Sequence, residues 1–539
     1  MEVADVSHLL LKLPVDHNTD MECILKTFVA WFLFVAMAAG EMPSAYVLTF
    51  TSNTETYEDH MVELQNPLPD WVNGIYVRNG MGVFEMGDRN LTHPFDGLAK
   101  LHSFRLTGGS SHVIYNSQFL ESNFYKDSKS EGRLAPYLVL GSIVPSFALW
   151  DKIRALYNGI DNTNINVVQF NGTTLHALSD FWHSYEINKR DLRTVRKTEP
   201  PLPNAGILNY VAPIPASSHP AKEFGTNNYI NFYSLVNVLP WQSHTLNIIR
   251  IESSTKTELL ASIPRIDIPY MHSMASTKDY AIVIAHPVYV NWMTIVRNQD
   301  PLDSLEYHAD KPTDIYVVHL HTNKFYHLKT DSYFFMHNVN AFQEGDKLYV
   351  DETSYSDISL MHAMAFHNIR SGSPQWPDNM HSQIKRLTID LSTETVEVHN
   401  FDTIPGLEFV NTLDLPVINP DYSFQRYCYI YGQVFGDRGL EDVKLVKKDI
   451  CGHGDKVWFK PNHFPSESWF QPNPNGVDED DGILLNIVLD GDTRTSYLLF
   501  LDAKTFEEIN VGYLPTWIPF TLHGRFFSHS CSDDELSGS

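Results

Sequence analysis

The chain has 539 residues, of which 43% are hydrophobic and 12% aromatic, so it can build a packed core and is not a disordered protein. Its 28 glycines and 30 prolines are ordinary numbers for this length, which excludes a collagen-like chain. The formal net charge of −26 repels phosphate groups, so no nucleic acid is expected as a partner. The 25 histidines, in contrast, are numerous enough to supply a metal site.

Residues 1–45 are expected to form an N-terminal extension outside the main fold. Residues 27–40 (TFVAWFLFVAMAAG) are an apolar run that follows Lys26 and ends in small residues. Taken from Met21, the pattern is typical of a secretory signal or an anchor, although a membrane span needs roughly 20 apolar residues. Two interpretations of residues 21–40 stay open: a signal or anchor for the secretory pathway, or a membrane-touching extension of a cytoplasmic protein.

Residues 46–530 repeat one kind of hairpin, in which an alternating strand is followed by a polar turn and a second strand. The seven hairpins lie at 103–115, 185–195, 247–260, 315–328, 385–398, 444–459 and 498–510. Such a repeat of short strands indicates a radial architecture, and seven units predict an all-β fold, a single seven-bladed β-propeller over residues 46–530. A β-sandwich is the alternative, but it does not predict the recurring hairpin. Residues 531–539 are expected to form a polar tail.

Residues 134–156 (LAPYLVLGSIVPSFALWDKIRAL) interrupt this pattern with an apolar segment that contains helical stretches. We expect the segment to belong to a helical and loop cap over the active-site face of the propeller. One interpretation is an ordinary helix that covers this face. The other is an apolar cap at a tunnel mouth that also contacts a membrane, which would suit a water-insoluble substrate.

Three histidines take equivalent positions in the repeat. His219, His272 and His337 each precede a turn signal and a β-rich strand. Because the innermost strands of a propeller converge on one axis, equivalent positions of different blades converge in space. His523 would join them if the last blade closes the ring beside the first. Four imidazoles bind a divalent transition metal and leave two octahedral positions open, as dioxygen chemistry at non-haem Fe(II) requires. Four structural histidines are the alternative.

Metal-bound histidines usually donate their second ring N–H to a carboxylate. Three carboxylates in strand-like segments are candidates for this role, namely Asp180, Asp414 and Glu467. The alternative for each of them is a surface or capping carboxylate.

The cysteines do not suggest a disulfide framework. Cys23, Cys428, Cys451 and Cys531 include no CxxC pair, and four cysteines are few for this length. The sequence therefore predicts inert thiols in a reducing compartment.

Several segments resemble the carotenoid cleavage oxygenase family, whose animal branch contains the β-carotene oxygenases and the retinoid isomerase of the retinal pigment epithelium. Residues 73–88 (NGIYVRNGMGVFEMGD) and 93–104 (HPFDGLAKLHSF) are similar to its N-terminal segments. SSHPAKEF, PYMHSMAS, FFMHNVNAF and IPFTLHGRFF resemble its four iron-ligand segments in order, and PSESWF and GVDEDDGILL its late carboxylate region. Each string alone is weak, but the ordered set over residues 64–527 is specific.

The resemblance implies one Fe²⁺ per chain on the axis of a seven-bladed propeller. Its implied ligands are His219, His272, His337 and His523, and its implied partner carboxylates are Asp180, Asp414 and Glu467. The family usually has Glu at all three carboxylate positions, and this chain has Asp at two. The shorter side chains would either reorient two histidines or require a compensating backbone shift, and we expect metal binding to survive.

The implied reaction is oxidative cleavage of one C=C bond of a carotenoid or apocarotenoid, with dioxygen as co-substrate and retinal-type aldehydes or apocarotenals as products. No catalytic residue beyond the iron centre is needed, and the sequence has no GxSxG elbow or P-loop. Two alternatives remain: a retinyl-ester isomerohydrolase that acts on a retinoid at the same iron scaffold, and an inactive propeller that binds lipid. We expect a cytoplasmic protein that contacts membranes peripherally through residues 134–156.

Overall fold

The structure is a computed structural model that describes residues 45–528 with short gaps. The gaps are 171–173, 207–212, 238–241, 292–293, 296–300, 323, 372–373, 378–380, 402–411, 437–438 and 453. The apolar run at 27–40 and the tail at 531–539 lie outside the described residues. Their predicted roles as an extension and a tail stay predictions.

The described residues form seven antiparallel sheets of four or five strands, numbered here in chain order. Sheet 1 contains Tyr57–Glu63, Gly74–Val83, Leu98–Leu106, His112–Phe119 and Thr521–Ser528. Sheet 2 contains Asn166–Gln169, Leu175–Leu178, Ser184–Ile187 and Thr194–Thr198, and sheet 3 contains Ala221–Lys222, Tyr229–Leu235, His244–Ser253 and Lys256–Arg265. Sheet 4 contains Ala275–Ser276, Tyr280–Ala285, Thr313–His319 and Phe325–Thr330, and sheet 5 contains Phe334–Glu344, Lys347–Tyr355, Gln383–Asp390 and Thr395–Asn400. Sheet 6 contains Asp414–Val417, Tyr429–Gly436, Gly439–Asp449 and Lys456–Trp458, and sheet 7 contains His463–Pro465, Trp469–Pro472, Gly482–Asp490, Thr495–Asp502 and Glu508–Tyr513.

Each sheet contains one of the seven hairpins that the sequence predicts, as a pair of neighbouring strands. The predicted all-β class is therefore confirmed. The closing contact predicted between the two ends of the repeat is also present, because Thr521–Ser528 pairs with Gly74–Val83 in sheet 1.

Burial differs between strands in the way that the sequence pattern indicates. Tyr229–Leu235 and Gly74–Val83 are buried along their whole length, because these strands are covered on both faces. The last strand of sheet 4, Phe325–Thr330, instead buries only alternate side chains, such as Tyr326 and Leu328. Alternation with a period of two is what a half-buried strand requires.

Hydrophobic clusters join consecutive sheets. Six clusters each contain buried side chains from two sheets with consecutive numbers, and a seventh contains buried side chains from sheets 7 and 1. The last of them packs sheet 7 against sheet 1, with Leu485 and Phe500 against Tyr76 and Phe104. Every sheet therefore packs on two others, and burial of these apolar faces is the main source of stability.

Four α-helices lie outside the seven sheets in the described part of the chain: α1 (Asn123–Glu131), α2 (Leu149–Asn158), α3 (Ser359–Ala363) and α4 (Phe366–Ile369). Short 3-10 helices span Ala45–Phe50, Pro94–Asp96, Leu302–Ser304 and Pro420–Tyr422, and two small sheets are formed by Val288–Val290 with Leu305–Tyr307 and by Glu85–Met86, Arg89–Leu91 and Ile143–Val144. Helix α1 begins after Ser122, whose hydroxyl accepts the Tyr125 N–H, and ends at Gly132 with a φ of +67°. None of the helices in the described residues combines the length and the apolarity that a membrane crossing requires.

The apolar segment at 134–156 is only partly helical. Helix α2 covers its C-terminal end, whereas residues 134–148 form loops and the short strand Ile143–Val144. Leu134, Tyr137 and Val139 pack with residues of α4 and with the ends of sheet 1 strands in one hydrophobic cluster. The apolar character of the loop thus reflects burial under other segments rather than helix formation.

The prediction of free thiols is wrong for two of the four cysteines. Cys428 and Cys451 form a disulfide with a Cα–Cα distance of 5.2 Å, within the usual range for such a bond. The antiparallel register pairs Tyr429 with Asp449, so the two cysteines lie just beyond the paired ends of neighbouring strands. Strand register, which cysteine spacing does not report, brings them together. Cys23 and Cys531 lie outside the described residues.

Candidate metal centre

The structure brings together the four histidines that are predicted as metal ligands. Each histidine offers one ring nitrogen, and these four nitrogens all lie within 4.8 Å of one another: His219, His272, His337 and His523. Their ring centroids are between 4.2 and 6.2 Å apart. This set of side chains is called the metal centre below.

All seven sheets supply one side chain each to the metal centre and its carboxylate partners. The residues, in the order of sheets 1 to 7, are His523, Asp180, His219, His272, His337, Asp414 and Glu467. Each lies in or beside a strand of its sheet, so the position of every ligand is fixed by a different sheet.

Backbone and hydroxyl groups tie neighbouring histidine segments together. The Ser217 hydroxyl donates to the His272 carbonyl (2.7 Å) and accepts the N–H of His219 (2.8 Å). In the same way, the Ser273 hydroxyl donates to the carbonyl of Met336, the residue before a ligand histidine (2.7 Å). The side chains of the centre therefore project from strand ends that are bonded to one another.

Three of the four histidines are oriented by the predicted carboxylates. The Nδ1–H group donates from His272 to Asp180 (2.8 Å), from His337 to Asp414 (2.7 Å) and from His523 to Glu467 (2.7 Å). The two Asp side chains reach their histidines as closely as the Glu does. At Asp414 the following residue, Leu415, has a φ of +51°, an unusual backbone conformation beside the shorter side chain.

The ring tautomers leave Nε2 lone pairs that point at one another. A carboxylate oxygen can only accept, so the Nδ1 atoms carry the protons and the neutral rings present bare Nε2 atoms. The Nε2 atoms of His337 and His523 are 3.3 Å apart, and the Nε2 of His219 is buried and has no hydrogen-bond partner in the described part of the chain. Buried lone pairs that face each other repel, and a cation between them removes the repulsion. The four side chains therefore fit a metal ion.

The carboxylate of Asp414 is itself held by several donors. The Thr353 hydroxyl (2.7 Å) and the Leu415 N–H (2.7 Å) donate to Oδ1, and the Tyr355 hydroxyl donates to Oδ2. Sequence reasoning missed Thr353 and Tyr355. They lie on the regular strand Lys347–Tyr355, and nothing in a strand pattern marks such hydroxyls as functional.

The other two carboxylates have different partners. Asp180 accepts from the hydroxyls of Ser218 (2.7 Å) and Tyr270 (3.2 Å). Glu467 accepts from the fully buried guanidinium of Arg78 (2.5 Å). Arg78 lies within the segment 73–88 that carries the family resemblance, and as the only charged residue of the strand Gly74–Val83 it was a signal that could have identified it.

The pKa shifts suit a metal-binding site. Burial lowers the pKa of His523 to about 4, despite the opposing effect of Glu467, and burial with the neighbouring imidazoles holds the pKa of His219 well below its usual value. Burial raises the pKa of Asp414, but His337 and its other hydrogen bonds outweigh this and lower it to about 2. Burial also lowers the pKa of His337, and the Asp414 carboxylate more than offsets it, so this pKa is raised. At neutral pH, Asp414 is ionised, and His219 and His523 are neutral donors.

The charges of the site indicate a divalent ion. Three carboxylates contact the histidines, and one of them is paired with the guanidinium of Arg78. With neutral imidazoles, the group carries two uncompensated negative charges in a buried site. Buried charge is costly unless it is paired, so a dication matches the site.

A cavity of about 220 Å³ borders the metal centre and is lined mainly by apolar side chains. His272, His337 and His523 line it at one place, and Leu138 from the segment 134–156 lines it at another. Ser179, next to Asp180, has a buried hydroxyl without a partner among the described residues and also lines the cavity. The arrangement can hold an elongated apolar molecule against a metal ion while excluding water.

Comparison with known proteins agrees with this geometry. The family model described as Retinal pigment epithelial membrane protein matches residues 50–528. The chain belongs to this family. The predicted resemblance to carotenoid cleavage oxygenases is thereby confirmed, since the relatives of this chain include carotenoid-cleaving enzymes of animals.

Three relatives align with this chain over most of their length. The mitochondrial carotenoid-cleaving dioxygenase of Homo sapiens is 26% identical and covers 85% of this chain and 86% of its own. The apocarotenoid-15,15'-oxygenase of Synechocystis sp. is 27% identical, and the alignment covers 90% of this chain and 96% of the relative. The β,β-carotene 15,15'-dioxygenase of Homo sapiens is 25% identical, and the alignment covers 88% of this chain and 93% of the relative. Solved structures of a Synechocystis apocarotenoid oxygenase variant and of its cobalt-substituted form have TM-scores of 0.74 and 0.75 at 24% identity, covering 90% of this chain and 99% of theirs, which shows a shared fold.

Proposed function

We propose that the chain is an Fe²⁺-dependent oxygenase that uses dioxygen to cleave one C=C bond of a carotenoid or apocarotenoid into two carbonyl products. The observation that carries the proposal is the meeting of four histidine side chains beside an apolar cavity. The names of the relatives, a carotenoid-cleaving dioxygenase, an apocarotenoid oxygenase and a β-carotene dioxygenase, support the same reaction class. One Fe²⁺ per chain is the expected stoichiometry.

The residues of the chain bind and orient the ion. His219, His272, His337 and His523 would hold it through nitrogen, which suits iron, and four donors leave octahedral positions open. When bound, the iron supplies the dioxygen activation that amino-acid side chains do not provide. The carboxylates keep three rings in the donor tautomer, and the apolar cavity walls position the polyene and keep water away from it.

The seven sheets are the blades of one propeller, with the metal centre on its axis. This architecture is supported by the packing of each sheet on two neighbours, by the contact between sheets 7 and 1, and by the supply of one residue per sheet to the centre. Helices α1 to α4 and residues 134–148 form the cap over the active-site face. The cap is supported by Leu138 and Met361, which belong to these segments and line the cavity.

Helix α2 docks the enzyme on a lipid bilayer. Its side chains at positions i, i+1, i+4, i+7 and i+8 form one face, and they are exposed by between 37% and 89%: Leu149, Trp150, Ile153, Leu156 and Tyr157. Large exposed apolar faces are uncommon on soluble monomers, and Trp and Tyr favour the membrane interface. The face adjoins residues 138–140, which line the cavity, so an apolar substrate would pass from the bilayer to the centre.

Vesicle binding tests this docking. Trp150→Glu is expected to weaken binding to phosphatidylcholine vesicles by about tenfold, because a buried aromatic ring is worth roughly 1.5–3 kcal/mol. Ile266→Glu is the matched control, since Ile266 is 88% exposed and directly follows the strand Lys256–Arg265 of sheet 3, outside helix α2. Equal binding of the two variants in a co-sedimentation assay would contradict the docking role of α2.

The compartment stays a prediction. A cytoplasmic, peripherally membrane-associated enzyme is our proposal, with the secretory pathway as the alternative if residues 21–40 act as a signal or anchor. The Cys428–Cys451 disulfide bears on this choice, because such bonds are rare in reducing compartments. Fractionation of cells with mass spectrometry of the thiol state would decide between them.

Product analysis tests the reaction. The iron-loaded protein is given carotenoids, apocarotenoids and retinyl esters with and without dioxygen, and the products are separated and weighed by liquid chromatography and mass spectrometry. We expect aldehyde or ketone fragments that require dioxygen and are absent with His337→Ala, and their masses identify the bond. An isomerised retinol formed without dioxygen would indicate a retinyl-ester isomerohydrolase. Bound lipid without turnover would indicate an inactive lipid-binding propeller.

A further inference from the structure

A second group of metal-type ligands lies in sheet 7, and none of its residues lines the cavity. The antiparallel register places His463 directly opposite Asp490, the last residue of the neighbouring strand. Asp492 follows in the turn. One ligand atom from each of these three residues lies within 4.8 Å of the others, and the group is called the sheet 7 cluster below.

The imidazole of His463 presents an unpaired nitrogen to this cluster. The side chain is 95% buried, and its Nδ1–H donates to the Pro461 carbonyl (2.9 Å). Because Nδ1 carries the proton in the neutral ring, Nε2 has the lone pair. This Nε2 is buried and has no hydrogen-bond partner among the described residues, which is rare for a buried polar atom. The atom therefore points to a ligand that shares the site with the carboxylates.

The spacing matches ligands around one ion better than it matches an ion pair. The Nε2 of His463 is 3.8 Å from Oδ2 of Asp490, which is too long for a hydrogen bond. Two ligands at about 2.1 Å from a tetrahedral Zn²⁺ are about 3.4 Å apart, close to this separation. The carboxylates are oriented already: Oδ1 of Asp490 accepts the N–H groups of Asp492 (2.9 Å) and Thr493 (3.2 Å), and Asn462 donates to Asp492 (2.6 Å).

We propose that His463, Asp490 and Asp492 bind a Zn²⁺ ion that is separate from the metal centre. One neutral imidazole and two carboxylates balance the charge of a dication, and water would complete a tetrahedral site. Asp492 is exposed, so the ion enters from solvent. The ion would fasten the first strand of sheet 7 to the 490–495 turn. Glu467, which orients His523, follows four residues after His463.

Metal counting tests the proposal. The iron-loaded protein is incubated with Zn²⁺ alone, separated from excess metal, and analysed for both metals by mass spectrometry. We expect one Zn²⁺ per chain in addition to the iron, with no loss of iron. His463→Gln and Asp492→Asn should bind this Zn²⁺ more weakly by about tenfold or more. Asp492 is exposed, so its variant tests the site without disturbing buried packing.

A matched histidine–aspartate pair provides the control. His327 donates directly to Asp314 (2.9 Å) and is partly exposed, so His327→Gln should take up Zn²⁺ like the unaltered chain. His337→Ala, which lacks the iron ligand, should retain Zn²⁺ at the sheet 7 cluster whatever reaction the enzyme catalyses. Absence of the additional Zn²⁺, or its equal uptake by His463→Gln and Asp492→Asn, would overturn the proposal and leave a plain ion pair.

Discussion

The metal centre and the sheet 7 cluster apply one local rule in two settings. In both, an imidazole donates its Nδ1–H to a fixed oxygen and leaves a buried Nε2 without a proton. The metal centre collects four nitrogens from four sheets and keeps its carboxylates behind the rings. The sheet 7 cluster collects one nitrogen and two carboxylates from a single sheet.

This difference has two consequences. A nitrogen-only donor set with open positions suits iron chemistry, whereas a mixed nitrogen and oxygen set suits a structural or weakly held Zn²⁺. The metal centre also depends on the whole arrangement of sheets, since each ligand comes from a different one. The sheet 7 cluster depends only on the pairing of two strands and one turn. A substitution that abolishes metal binding at one site should therefore leave metal binding at the other site intact.

The strongest test of this independence is the removal of one ligand from each site. His337→Ala should abolish iron binding and carotenoid cleavage, because it removes a donor and leaves the Asp414 carboxylate buried without its partner. His463→Ala should leave iron content and cleavage within about twofold, as expected for sites that do not share contacts. Iron analysis and product formation are the measurements. A loss of iron in His463→Ala would break the distinction.

Substitution of a carboxylate that orients a histidine ring should have the next largest effect on iron binding. Asp414→Asn is expected to weaken iron binding by about 10- to 100-fold, because it removes the acceptor that orients His337. Competition with an iron chelator measures the change. Asp421→Asn, at an exposed position, is the control and should match the unaltered chain. Equal iron affinity in both variants would mean that the carboxylate does not act on the metal.

At pH values where His337 is protonated on both ring nitrogens, iron binding should also release a proton from this ring. Its pKa is raised in the free protein, so a proton competes with the metal below that pKa. Iron affinity should fall by about tenfold for each unit of pH below this point and level off above it. In Asp414→Asn, the pKa of His337 loses the main effect that raises it, and burial is opposed only by the more distant Glu467 and Asp180, so the fall should move to lower pH. Calorimetry in buffers of different ionisation enthalpy counts the proton, and an unchanged profile in the variant would contradict the assignment.

Single hydroxyl groups should have the smallest effects and sharpen the comparison. Tyr355→Phe removes one donor to Asp414, and Tyr513→Phe removes the donor to Asp490 (3.2 Å). Each loss should cost about 1 kcal/mol, or a few-fold in affinity. We expect Tyr355→Phe to weaken iron alone and Tyr513→Phe to weaken Zn²⁺ alone. Titration of each variant with both metals would detect a crossed effect, which would mean that the sites are coupled.

The repeat and three of the four histidines could be predicted because they have local signals. Alternation and polar turns identify a hairpin from a dozen residues, and the position of His219, His272 and His337 before a turn is visible in the same way. The partner carboxylates followed from the general behaviour of metal-bound histidine and from the family resemblance. Arg78 lies within a segment that resembles the family, but no role is predicted for it. The sequence does not show that its strand is buried on both faces.

Other features depend on contacts between distant residues. The Cys428–Cys451 bond and the pairing of His463 with Asp490 both come from antiparallel register, which brings together residues 23 and 27 positions apart. Cysteine connectivity cannot be deduced from spacing alone. The sequence predicts helical stretches within 134–156 but not where they begin, because a buried loop and a helix face are equally apolar in sequence.

Sheet 1 has a consequence for the biosynthesis of the enzyme. Its strand Thr521–Ser528 carries His523 and pairs with Gly74–Val83, so the fourth ligand and the closing strand arrive together. The ribosome releases the other three ligands first, the earliest of them some 300 residues sooner. A nascent chain that lacks residues 521–528 therefore lacks both the strand that pairs with Gly74–Val83 and one of the four histidines, so the metal centre is assembled only after that strand has been synthesised.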